Sequence, residues 1–182
     1  MTYFLDFDRT LFDTDSHYVH LIDDAVIPEP YRTTLVATKN AGAGHTDYTA
    51  EAWQRYQEGI ERGIIKHGDG ASGFLYPDAL PFLARHGADT VIVTFGLPAI
   101  QRAKVEGSGI VPLVKRVIYT GLDEKALEGE NGTPDSVFVD DQIRHLETVA
   151  QAHPSMRLFE IRRDGKPGSG TFPVVRSLAE LP

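Results

Sequence analysis

Short apolar runs recur along this chain with helical segments between them, and that alternation constrains the fold more than any other feature. Residues 3–7 form an aromatic and apolar run, and residues 90–94 a β-branched one. Further runs fall at 114–120, 136–141, 157–161 and 173–175. Each is short and suits a pleated, buried surface, so each reads as a strand. Between them, a helix begins near Pro77 and stops at Gly87, another starts at Pro98, a short one covers 123–128, and one covers 142–152. Strands joined through helices need crossovers, which build a parallel sheet covered on both faces. The expected class is α/β, with residues 1–14 and 73–182 forming the core.

Residues 15–72 break the alternation. Val19, Leu21, Ile22, Ala25 and Val26 follow a helical pattern that Pro28-Glu29-Pro30 stops. The piece Asn40-Ala41-Gly42-Ala43-Gly44 reads as a loop. Thr49 then reads as the N-cap of a helix reaching about Lys66, with Trp53, Tyr56, Ile60 and Ile64 on one stripe. The segment is expected to be a small helical domain inserted into the core. His17, His20 and Asp24 share a helical face there, and the reading favoured for them is a wet face rather than a second metal site.

Composition narrows the partners. The 182 residues suffice for one well-cored domain with a small insertion. A net charge of −8 argues against a general nucleic-acid binder or a basic membrane-surface protein. With no cysteine, thiolate chemistry and disulfides are excluded. No signal peptide or membrane-length apolar run is visible, so a cytoplasmic location is the expectation. The oligomeric state is left open.

The chemistry gathers where strands end. The first run ends in Asp6 and Asp8, the second in Thr94, and the fourth in Asp140-Asp141. In an open parallel sheet ligands bind outside the carboxyl ends of the strands, so these groups are expected to converge. Clustered carboxylates repel one another and call for a cation, a shared proton, or both. Hard oxygen donors with no His or Cys expected nearby suit Mg²⁺. The plainer alternative is that strand-end acids cap the helices that follow.

Asp6-Phe7-Asp8-Arg9-Thr10, Thr94 and Asp140-Asp141, in that order, resemble the three best-marked motifs of the haloacid dehalogenase superfamily. The phrase Tyr76-Pro77-Asp78-Ala79-Leu80 is similar to the family's return from cap to core, and 177–181 to its final helix. The resemblance implies a Rossmann-like three-layer α/β/α core with residues 15–72 as a helical cap. It implies a magnesium-dependent phosphatase acting on a small phosphorylated metabolite through an aspartyl-phosphate. Asp6 is then the nucleophile and Asp8 the acid and base. Thr94 holds a phosphoryl oxygen. Mg²⁺ is held by Asp6, Asp140 and the main-chain carbonyl of Asp8, with Asp141 in the shell outside.

The family's lysine is assigned to Lys125, ahead of Lys104 and Lys115, because Lys125 opens the short helix before the last acidic strand. Two departures stand out: Arg9 replaces a small residue, and Phe95-Gly96 follows Thr94 where Asn-Gly is common. Arg9 either meets a second anionic group of the substrate or points to solvent. Competing functions are a phosphomutase and a non-catalytic phosphoacceptor or binding protein on the same scaffold. A dehalogenase is disfavoured, since it would leave Asp8 without a role.

Overall fold

The computed structural model describes residues 1–24, 26–41, 50–120 and 133–182. Six strands make one sheet: β1 (Thr2–Leu5), β2 (Thr90–Phe95), β3 (Arg116–Thr120), β4 (Ser136–Asp140), β5 (Arg157–Ile161) and β6 (Val174–Val175). Every pairing is parallel, in the order β3-β2-β1-β4-β5-β6. The order reverses at β1, so this is a Rossmann-like α/β sheet with its switch point at the first strand.

Register explains why the runs are apolar on both sides. Leu5 stands between Ile92 and Val139, whereas Phe4 stands between Val91 and Phe138. The Leu5 row packs into the larger core cluster with Phe7, Phe12 and Phe82. The Phe4 row packs into the opposite one with Leu146 and Val149. A strand buried on both faces has no solvent side, and hence no polar alternation.

Among the described residues, three helices come first after β1: α1 (Thr14–Asp23), α2 (Tyr31–Ala41) and α3 (Ala50–Glu61). Their apolar faces share a cluster of Leu21, Ile22, Ile27, Leu35, Tyr56 and Ile65. The helix α2 begins just after the prolines expected to end helical structure. The helix α3 ends earlier than Lys66, because Gly63 takes φ +68° and the N–H groups of Ile64 and Ile65 return to the Gly59 carbonyl. Ile64 is exposed, while Tyr56, Trp53 and Ile60 do pack inward. The N-cap expected at Thr49 and the short helix expected at 123–128 lie outside the described residues.

After β1 come, in chain order, α4 (Ala79–His86) before β2, α5 (Pro98–Gly107) after it, and α6 (Ile143–Ala152) after β4. The final helix expected at 177–181 is a single tight turn, Leu178–Glu180. Arg163 fastens the C-terminal segment to the start of the chain. Its guanidinium donates to both Asp78 carboxylate oxygens and to the Thr10 carbonyl, at 2.7–3.2 Å. No described helix is long and apolar enough to cross a membrane.

Candidate active site

The strand β1 stops at Leu5, and the next eight residues build the site. The Asp6 N–H donates to the Val139 carbonyl (2.9 Å), which keeps Asp6 beside the end of β4. The Phe7 carbonyl then accepts from the N–H groups of Thr10, Leu11 and Phe12, a tight loop in which Arg9 takes φ +55°. Asp6 thus lies just past the strand and Asp8 inside the turn that follows, so the two are not carried on one extended strand. They face different partners.

Asp6 faces acids. Asp6, Asp140 and Asp141 each offer a carboxylate oxygen within 4.8 Å of the others, and Asp6 and Asp140 are buried. Three carboxylates this close, two out of water, repel strongly unless a cation joins them. All three donors are hard oxygens, which fits Mg²⁺. The supports fit too. Thr10 Oγ1 donates to Asp6 Oδ2 (3.4 Å), and the Gln142 N–H to Asp140 Oδ1 (2.8 Å). His145 Nδ1 lies 3.1 Å from Asp140 Oδ2. Its Nε2 is buried with no hydrogen-bond partner, so Nδ1 carries a proton and donates to the carboxylate.

Asp8 faces donors. Its carboxylate is outside the three-acid group and accepts from Thr14 Oγ1, from Gln101 Nε2 (3.0 Å) and from the Lys104 ammonium. Burial favours the neutral acid, but Lys104 and these hydrogen bonds outweigh it and hold the Asp8 carboxyl below its usual range. Gln101 Nε2 also donates to the Phe95 carbonyl (2.8 Å), and Gln101 Oε1 accepts from Thr94 Oγ1 (2.9 Å). One amide thus ties Thr94 to Asp8. Gly96 permits this: at φ +142°, a Cβ there would stand 2.5 Å from Gln101 Nε2.

The expected residues Asp6, Asp8, Thr94, Asp140 and Asp141 come together. Asp141 joins the acid group itself rather than standing outside it. Lys125 lies outside the described residues. Arg9 is engaged by Asp15, through Nε (2.9 Å) and Nη2 (2.6 Å). His17, His20 and Asp24 do not share a wet face. His20 pairs with Asp24 (2.5 Å), while His17 is fully buried against Phe12, Phe74 and His67. The additions that the sequence reading missed are Thr14, Gln101 and His145, and Lys104, weighed there behind Lys125, is the lysine that reaches Asp8 among the described residues. Only the i, i+3 spacing of Gln101 and Lys104, on the helix after Thr94, was there to signal that pair.

Fold and site together define a Rossmann-like α/β protein with clustered carboxylates at the switch point of its sheet. The sequence profile of the haloacid dehalogenase-like hydrolases matches residues 3–157, and the chain belongs to that family. Among solved structures, the HAD-hydrolase YfnB from Bacillus subtilis, described as bound to magnesium, is similar with a TM-score of 0.61 at 18% identity. That alignment covers 99% of this chain and 96% of the other. A haloacid dehalogenase-like hydrolase from Burkholderia xenovorans aligns with a TM-score of 0.65 at 21% identity, over 99% and 94%. A dehalogenase aligns with a TM-score of 0.56 at 16% identity, over 99% and 94%. No curated protein matches the chain significantly. At these identities the structural likeness speaks to the fold.

Proposed function

We propose that the protein is a magnesium-dependent phosphatase that hydrolyses a small phosphorylated metabolite through a phosphoryl group carried on Asp6. The reading rests on the three-carboxylate group around Asp6, which a metal-free dehalogenase would not need. Mg²⁺ at Asp6, Asp140 and Asp141, with the Asp8 main-chain carbonyl, would offset the repulsion between the nucleophile and an anionic phosphoryl group.

In the first step an Asp6 carboxylate oxygen bonds to phosphorus while the bond to the leaving oxygen breaks, and Asp8 in its acid form gives that oxygen a proton. In the second, Asp8 takes a proton from water, the water oxygen bonds to phosphorus, and the Asp6–phosphorus bond breaks. Inorganic phosphate leaves and Asp6 is a carboxylate again. Lys104 and Gln101 hold Asp8 ionised before substrate arrives, so Asp8 must gain a proton before the first step. Thr94 turns its hydroxyl from Gln101 to a phosphoryl oxygen. Residues 15–72 act as the cap that selects substrate and excludes water.

The test is a panel of phosphorylated metabolites and p-nitrophenyl phosphate, each with Mg²⁺ and with chelator. Phosphate release that needs Mg²⁺ and vanishes in Asp6→Asn is expected. Isomerisation of a sugar phosphate without net phosphate release would point to a mutase. Turnover of a haloacid without metal would overturn the reading.

A further inference from the structure

Gln101 is a buried amide whose hydrogen bonds are all spent at the site. It is 7% exposed, on α5, and its Nε2 carries two N–H groups. One donates to the Phe95 carbonyl (2.8 Å) and one to Asp8 Oδ2 (3.0 Å), while Oε1 accepts from Thr94 Oγ1 (2.9 Å). The partners force this orientation. Turned over, the amide would set Oε1 against a carbonyl oxygen and a carboxylate oxygen, neither of which has a proton to offer. Phe95 closes β2, so its carbonyl still anchors the amide when Thr94 turns its hydroxyl to substrate.

The contacts of Asp8 are divided unequally between its two oxygens. Oδ1 accepts from both Thr14 Oγ1 and the Lys104 ammonium, whereas Oδ2 accepts from Gln101. A carboxylate has about four acceptor sites, shared equally by its oxygens. Oδ1 is thus filled, and Oδ2 keeps a site for a proton bound for the leaving oxygen. Turning the carboxylate about its Cβ–Cγ bond would carry Oδ2 out of line with Gln101 Nε2, so that contact fixes where the site points.

We propose that Asp8 works through Oδ2 and that Gln101 is the residue that aims this oxygen at the leaving oxygen of the substrate. In the first step the Oδ2–H bond breaks, the leaving oxygen takes the proton, and the electron pair stays on Asp8. Gln101 neither gains nor loses a proton, so it is a positioning residue that acts through Asp8. The proposal rests on the phosphatase reading. It adds that proton delivery depends on an amide of α5, outside the three-acid group.

Leaving-group basicity separates aim from structural support. Phenolate is a far more basic leaving group than p-nitrophenolate, so phenyl phosphate needs the acid and p-nitrophenyl phosphate needs it much less. The test reads kcat/KM with Mg²⁺ on both substrates, for wild type, Gln101→Met and Asp8→Asn. The two substrates differ by one nitro group, so a general loss of binding or folded protein cancels in their ratio. Gln101→Met should lose about tenfold more on phenyl phosphate than on p-nitrophenyl phosphate, and Asp8→Asn should show the same bias more strongly. Should Gln101→Met fold poorly, Gly96→Ala reads the same ratio, since its Cβ would stand 2.5 Å from Nε2 and push the amide off Asp8. Equal losses on the two phosphates in Gln101→Met or in Asp8→Asn would overturn the assignment, while wild-type turnover still upheld the phosphatase. A wild type with no Mg²⁺-dependent turnover of either phosphate would overturn both.

Discussion

The pair Asp8–Lys104 is asymmetric, and the asymmetry can be measured. The Asp8 side chain is 20% exposed and keeps donors from Thr14 and Gln101 if Lys104 is lost, whereas Lys104, at 2%, has no such reserve. Asp8→Ala strands a buried cation and should cost about 4 kcal/mol in urea unfolding. Lys104→Met removes one charged hydrogen bond and should cost about 2 kcal/mol or less. Equal losses would contradict this account. His17 makes a second residue-scale prediction. Burial, with Lys104 and His20 nearby and Asp8 and the His67 main chain opposing, lowers its pKa from 6.5 to about 4. A histidine whose folded pKa is depressed adds stability above its unfolded pKa and loses it as pH falls. Between pH 6.5 and about 4, wild type should therefore lose about 3 kcal/mol more than His17→Phe. Parallel pH curves would exclude His17 as the source. The sequence shows the acids because each ends its own apolar run. Lys104 and Gln101 reach the site through space from a helix side, and from the sequence alone their burial is indistinguishable from a solvated face.

The element that joins the halves of the molecule is α5. Ile100 on α5 packs into the cluster of the helical insertion, while Gln101 and Lys104 on the same helix serve the site. Contact at its far end depends on missing side chains: a Cβ on Gly107 would lie 2.2 Å from the Gly68 carbonyl oxygen, and one on Gly68 2.2 Å from that of Ala103. Gly107→Ala should thus cost about 1–3 kcal/mol by overpacking, although alanine is the better helix former. Its thermal midpoint should fall, and a rise would show that the segment yields without cost. The same scale explains what the sequence hid. The helix α2 is rich in Thr and Asn, which are weak helix formers, and has few apolar anchors. Its place is set by Leu35, which packs with Tyr56 and Ile27, contacts that no local pattern reveals.

At the scale of the molecule, the strand order gathers distant residues at one edge. β1 lies between β2 and β4, so a reversal at the first strand sets Asp6 beside Asp140-Asp141 on one side and the end of β2 on the other. This convergence was legible, since parallel crossovers bring every strand end to one edge. Which side chains from α5 and α6 would fill that edge was not. Carboxylates that repel when folded would be relieved by a cation that joins them, so binding one would stabilise the fold. A ligand at one hundred times its Kd adds about 2.7 kcal/mol. Mg²⁺ should therefore raise the thermal midpoint of wild type, and Asp140→Asn should abolish most of the rise; equal rises in both would place the metal elsewhere. The central claim is that Asp6 carries the phosphoryl group. Its most direct test is rapid acid quenching of wild type turning over p-nitrophenyl phosphate with Mg²⁺, followed by peptide mass spectrometry. One phosphoryl group on Asp6 is the predicted result, and p-nitrophenol release with Asp6 unmodified and full turnover by Asp6→Asn would contradict it.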